Sequence, residues 1–73
     1  MARHTLMGMV LKVIDDKGPQ HLALVIADTV AYVNEAVAPM EVRSAVLGLL
    51  RRNLLEITKE SILRKPAPAE AVA

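Results

Sequence analysis

The basic residues of this sequence gather in its second half, where they are able to bind phosphate groups. Six of them lie between residues 39 and 73, namely Arg43, Arg51, Arg52, Lys59, Arg64 and Lys65. That half carries a net charge of +2, whereas residues 1–38 carry −1. Lysine and arginine contribute affinity and salt dependence through phosphate contacts. Because the whole chain has a net charge of only +1, the charge asymmetry is mild and no global basic field indicates a nucleic-acid partner.

Residue types suited to catalysis or to metal binding are scarce. There is no cysteine, and the two histidines, His4 and His21, stand far apart in the sequence, which is a weak basis for a metal site. His21 is better explained as the start of a helix. Ser44 and Ser61 have no neighbouring base to activate them, and the three glycines are too scattered to cradle a phosphate. We therefore expect no catalytic residue, no bound metal and no cofactor.

Three amphipathic helices are predicted to position the basic residues. The first covers residues 5–17, where apolar residues recur at helical spacing, and it ends at Gly18 and Pro19. The second covers residues 22–34, because a spacing of three and four residues outweighs the strand propensity of its valines. The third covers residues 39–52, since proline suits the first turn of a helix.

The stretch "NLLEITKESILRKP", residues 53–66, allows two structures. Asn53 tolerates left-handed backbone geometry and can end the third helix. Two apolar runs then follow, and pairing Thr58 with Ser61 would place Ile57 opposite Ile62 in a β-hairpin. Lysine and glutamate make a poor two-residue turn between them, a problem that a slightly longer loop would relieve.

The alternative is a third helix that continues past Asn53. Leu47, Leu50, Leu54 and Ile57 keep a near-heptad spacing through this stretch. A helix of that length would make the chain an all-α bundle. The residues of this stretch do not by themselves decide between the hairpin and the helix.

The order of the elements favours the hairpin. "VLKVIDDKGPQHLALVIADTV" followed by "APMEVRSAVLGLLRRNLLEIT" resembles the winged helix-turn-helix family of DNA-binding domains. Val42, Val46 and Leu49 match the spacing of the recognition helix, and residues 53–57 match the entry to the wing, although the glycine expected at the wing tip is absent. The resemblance covers residues 5–65. It implies a mainly α fold with a small β-hairpin, in a domain of residues 1–65, and the Pro- and Ala-rich residues 66–73 are expected to be a disordered tail.

The resemblance also implies a function. The third helix would lie in the major groove of double-stranded DNA, with Arg43 and Ser44 closest to the base edges. The wing would contact phosphates, and the chain would be a small regulator of transcription. The residues expected to contact DNA are Arg43, Ser44, Arg51, Arg52, Lys59, Arg64 and Lys65. A protein-interaction or dimerisation module without DNA binding is the alternative, which the weak net charge and the surplus of leucines favour.

A homodimer in the cytoplasm is the expected state of the protein. A chain of 73 residues buries a marginal core, and its surplus of apolar residues favours a contact with a second copy. Leu6, Met9, Leu47 and Leu50 are the predicted interface. The apolar stretches are too short or too interrupted by charge to cross a membrane, so no membrane partner is expected.

Overall fold

The computed structural model describes residues 3–33 and 36–66, which form three helices and a small antiparallel sheet. The elements in chain order are α1 (Arg3–Lys17), β1 (Gln20–His21), α2 (Leu22–Tyr32), α3 (Pro39–Arg51), β2 (Glu56–Ile57) and β3 (Ile62–Arg64). The predicted fold class, mainly α with a small β-hairpin, is confirmed, and the order of elements is compatible with a winged helix layout. The alternative of a long third helix is wrong, because α3 ends at Arg51. Residues 67–73 of the predicted tail lie outside the described residues.

The helix boundaries follow from the residues that were expected to set them. Gly18 has a φ of 79° and donates its N–H to the carbonyl of Ile14 at 2.7 Å, which ends α1 in the left-handed conformation that glycine adopts readily. His21 caps α2, since its Nδ1 accepts a hydrogen bond from the N–H of Ala23 at 3.1 Å. The predicted ends were less accurate, because α1 begins at Arg3 instead of residue 5, and α2 ends at Tyr32.

A residue in the left-handed conformation turns the chain from α3 into the hairpin. Asn53 has a φ of 59°, and the N–H of Leu54 donates to the carbonyl of Leu49 at 3.0 Å. This is the cap that an asparagine can form in place of glycine. The prediction that Asn53 ends the third helix is confirmed.

The hairpin differs from its predicted register by one residue. Ile57 pairs with Leu63, not with Ile62, because the loop contains three residues, 59–61, and not two. The N–H of Ser61 donates to the carbonyl of Thr58, and Ser61 has a φ of 64°. A two-residue loop of the I′ type requires positive φ at both central residues, whereas a three-residue loop requires it only once. Ser61 therefore takes the conformation expected of the missing glycine.

A third strand, which the sequence did not suggest, completes the sheet. The strand order is β1-β3-β2, and β1 pairs with β3 so that Gln20 faces Leu63. The N–H of Leu22, the first residue of α2, donates to the carbonyl of Ser61 at 2.8 Å. The hairpin is thereby attached to the start of α2 as well as to the end of α3.

The core lies between the three helices and the inner side of the sheet. Its buried apolar side chains come from α1, α2, α3 and the hairpin: Leu6, Met7, Val10, Ile14, Val25, Val33, Val42, Ala45, Val46, Leu49, Leu55 and Leu63. Gly48 marks the close approach of α3 to α1, because a Cβ at this position would overlap the Cε of Met7. Within the part of the chain that the structure describes, no helix has the length and apolarity needed to span a membrane.

Candidate nucleic-acid interface

One face of α3 points away from the core and carries three of the seven residues predicted to contact DNA. Val42, Ala45, Val46 and Leu49 are buried on the inner face. The opposite face consists of Met40, Arg43, Ser44, Leu47 and Arg51, whose spacing places them side by side along the helix. We call these five residues the α3 stripe. The predicted positions Arg43, Ser44 and Arg51 therefore share one outward surface.

The α3 stripe combines apolar and cationic side chains. Met40 is 70% exposed and Leu47 is 45% exposed, while Arg43 and Arg51 are exposed and Ser44 is half-buried. Ser44 is therefore its one uncharged hydrogen-bonding residue. Met40 was not among the predicted contacts, although its position seven residues before Leu47 would have revealed it on a helical projection.

Two of the four remaining predicted cations lie at the two ends of the segment that joins α3 to the wing tip. Arg52 is the C-terminal cap residue of α3, where its N–H donates to the carbonyl of Gly48 at 3.1 Å. Lys59 lies in the hairpin loop next to Glu60. Both side chains are exposed and accessible to a phosphate backbone.

Ion pairs divide the predicted phosphate contacts into two groups. Arg64 donates from Nε to Oε1 of Glu56 across the hairpin at 2.5 Å, and Lys65 pairs with Asp15 at the end of α1. Over residues 3–33 and 36–66, no such pair is found for the second group, Arg43, Arg51, Arg52 and Lys59. Among the predicted DNA contacts, these four cations have no carboxylate partner within the described ranges.

The predicted dimer residues do not form one surface. Leu6 is only 3% exposed and belongs to the core, so little of its side chain is accessible to a second copy of the chain. Met9 and Leu50 are partly buried against the same core, and Leu47 belongs to the α3 stripe. A further exposed apolar residue that the sequence did not single out is Leu24 on α2, which is 54% exposed.

No group of three or more histidine, aspartate or glutamate side chains within the described ranges has an arrangement suited to a metal ion. In comparisons with known proteins, no family model, no curated protein and no solved structure matches this chain. The geometry of the α3 stripe and of the hairpin is therefore the evidence on which a function must be argued.

Proposed function

We propose that this protein binds double-stranded DNA through α3 and the hairpin, and that it acts as a small cytoplasmic regulator of transcription. The observation that carries the proposal is the α3 stripe, an exposed helix face whose arginines have no carboxylate partner among the described residues. A helix of this kind fits the major groove, which admits an α-helix. The mechanism is positional and contains no chemical step.

Two kinds of contact are assigned to these polar residues. Arg43 and Ser44 lie in the first half of α3 and are assigned to base edges, where arginine pairs with guanine through two hydrogen bonds. Arg51, Arg52 and Lys59 are assigned to phosphates. Such contacts fix the register of the protein on the duplex but read no sequence.

Arg64 and Lys65 contribute less to phosphate binding than unpaired cations of a wing would. Glu56 and Asp15 already balance their charges, so a phosphate would have to compete with a carboxylate for each of them. Lys59 is consequently the principal phosphate contact of the hairpin. The homodimer remains part of the proposal, with its contact surface outside the buried residue Leu6.

A salt series tests the proposal. Binding of a labelled mixed-sequence duplex is followed by fluorescence anisotropy, starting at low ionic strength. The logarithm of the binding constant should fall linearly with the logarithm of salt concentration. Arg51→Gln should lower the magnitude of that slope by about 1, as expected for one lost phosphate contact. Lys12→Gln is the matched control, because Lys12 is an exposed cation on α1, and it should leave the slope unchanged. Absence of binding at the lowest salt would refute the proposal.

The second candidate function is a protein-interaction module without DNA binding. The observation that favours it is the exposure of Met40 and Leu47 on the same stripe, because apolar patches on a small domain tend to mark a protein interface. Analytical ultracentrifugation tests whether the partner in this second function is another copy of the chain. Self-association that Leu47→Gln abolishes, together with no affinity for DNA, would favour this second function.

A further inference from the structure

We propose that the α3 stripe recognises the C5-methyl groups of pyrimidines in the major groove. The inference rests on the proposed DNA binding and deepens it, because it assigns a ligand to the two apolar side chains of the stripe. Met40 and Leu47 stand on its outward side, where a helix that reads bases by hydrogen bonding would carry polar residues. Their chemistry selects for an apolar partner.

The spacing of these residues matches a short run of base pairs. Met40 and Leu47 are seven residues apart, which corresponds to about 10 Å along a helix. Successive base pairs rise by about 3.4 Å, so the two side chains span roughly three base-pair steps. Ser44 lies between them, and its hydroxyl can donate to or accept from a base edge.

The major groove offers one kind of apolar group to such side chains. Base edges there present nitrogen and oxygen donors and acceptors, and thymine adds its C5-methyl group. An apolar side chain pressed against a donor or acceptor would remove that group from water without providing a hydrogen bond. A methyl group at C5 avoids this cost and buries apolar surface instead. The same position is occupied in 5-methylcytosine, so the inference covers both methylated pyrimidines.

The arginines beside the two apolar side chains favour a nucleic acid over an apolar protein surface as the occupant of the α3 stripe. Arg43 precedes Leu47 by one helical turn and Arg51 follows it by one turn, so Leu47 would be flanked on both sides by cations near phosphates or guanine. Double-stranded RNA is a poor fit, since its major groove is too deep and narrow to admit a helix. The occupant is therefore a DNA duplex with methylated pyrimidines.

Two pairs of duplexes that differ only in the methyl group test the inference. The first pair is alternating adenine–thymine DNA and alternating adenine–deoxyuridine DNA of equal length. The second pair is alternating guanine–cytosine DNA and its 5-methylcytosine counterpart. At a fixed low salt concentration, each contacted methyl group should raise the affinity about fourfold, as expected for one buried methyl group. The methylated duplex should bind more tightly than the unmethylated one in both pairs, and this result would rule out an effect of base identity alone.

Matched variants assign the preference to the stripe. Leu47→Gln should reduce the ratio between the affinities for methylated and unmethylated duplexes towards one, and this ratio is the readout whatever the change in overall affinity. Leu24→Gln is the control, because Leu24 is similarly exposed on α2, and it should keep the full ratio. Circular dichroism checks that both variants retain their helices.

The possible failures are distinct. Equal affinity for methylated and unmethylated duplexes would overturn the methyl inference and leave the proposed DNA binding standing. A preference that survives Leu47→Gln and Met40→Gln together would also overturn it. Absence of binding to every duplex would overturn both the proposed function and the inference that rests on it.

Discussion

Alanine substitutions at the two helical glycines, Gly8 in α1 and Gly48 in α3, are expected to have different effects on the stability of the protein. A Cβ at Gly8 meets no atom within 4 Å, whereas a Cβ at Gly48 overlaps the Cε of Met7. Alanine is favoured over glycine inside a helix by about 1 kcal/mol. Gly8→Ala should therefore raise the free energy of unfolding by about 1 kcal/mol.

Gly48→Ala gains the same helix propensity but must displace the Met7 side chain. Met7 is only 6% exposed, so its terminal methyl group has to move within a packed core. The overlapped atom is the free end of a flexible side chain, so the cost lies in the lower part of the range of about 1–3 kcal/mol for atoms added to a core. The net result is a change between about zero and a loss of 1 kcal/mol, and the two alanine variants should differ by about 1–2 kcal/mol.

Urea denaturation followed by circular dichroism measures both changes in the free energy of unfolding. Thermal denaturation provides a second measurement, in which a shift of about 4–8 °C in Tm per kcal/mol is expected for a domain of this size. Shortening Met7 supplies the control. In a Met7→Ala background, Gly48→Ala should become stabilising, as Gly8→Ala is in the natural chain. If Gly48→Ala stabilised the natural chain as much as Gly8→Ala does, the close contact between α1 and α3 at Met7 would be refuted.

Five further substitutions test the hairpin, the core and the ion pairs. Ser61→Gly should raise the free energy of unfolding by about 1 kcal/mol, because a serine at positive φ is strained. Asn53→Gly should change the free energy of unfolding little, because asparagine tolerates this conformation. Thermal denaturation compares the two variants. The buried hydroxyl of Thr29 has no hydrogen-bond partner among the described residues, so Thr29→Val should stabilise the protein by about 1 kcal/mol in urea denaturation. Lys65→Gln should lower the affinity for a DNA duplex less than Lys59→Gln does in the anisotropy assay, because Asp15 already balances the charge of Lys65.

Each of these expectations has a clear contrary result. An equal gain at Ser61 and Asn53 would mean that the side chain, and not the backbone conformation, sets the stability of the turn. Destabilisation by Thr29→Val would mean that the hydroxyl is satisfied, for which Thr29→Ser provides the comparison because it keeps the hydroxyl. Equal losses of affinity for the two lysine variants would show that the ion pair with Asp15 does not withhold Lys65 from phosphate.

The sequence was most informative where single residues restrict the backbone. Gly18, Pro39 and Asn53 end or begin helices in ways that depend on their own conformational preferences, so the three helices could be located to within a few residues. The hairpin register was missed because Ser61, which is not a residue type typical of positive φ, adopts the left-handed conformation in a three-residue loop. Strand β1 was missed because two residues carry no periodicity.

The candidate site was only partly predictable for a different reason. The basic residues could be counted from the sequence, but their partners could not, because Asp15 and Lys65 meet only after α1 and β3 have come together. Leu6 shows the same limit for apolar residues, since its spacing in α1 does not reveal that the core surrounds it on all sides. Local patterns thus identify faces of helices, while the assignment of those faces to solvent or to core depends on the tertiary structure.

The central position of β3 in the sheet makes the wing part of the folding unit and not an appendage to it. Strand β3 pairs on one side with β1, from the first half of the chain, and on the other with β2. Contacts between such distant segments form slowly because a long loop must close first. Removal of β3 would leave two strands without partners and would open the core at Leu63. The backbone amides that bridge β1, the start of α2 and β3 should therefore exchange with solvent in a single cooperative step, which native-state hydrogen exchange can measure.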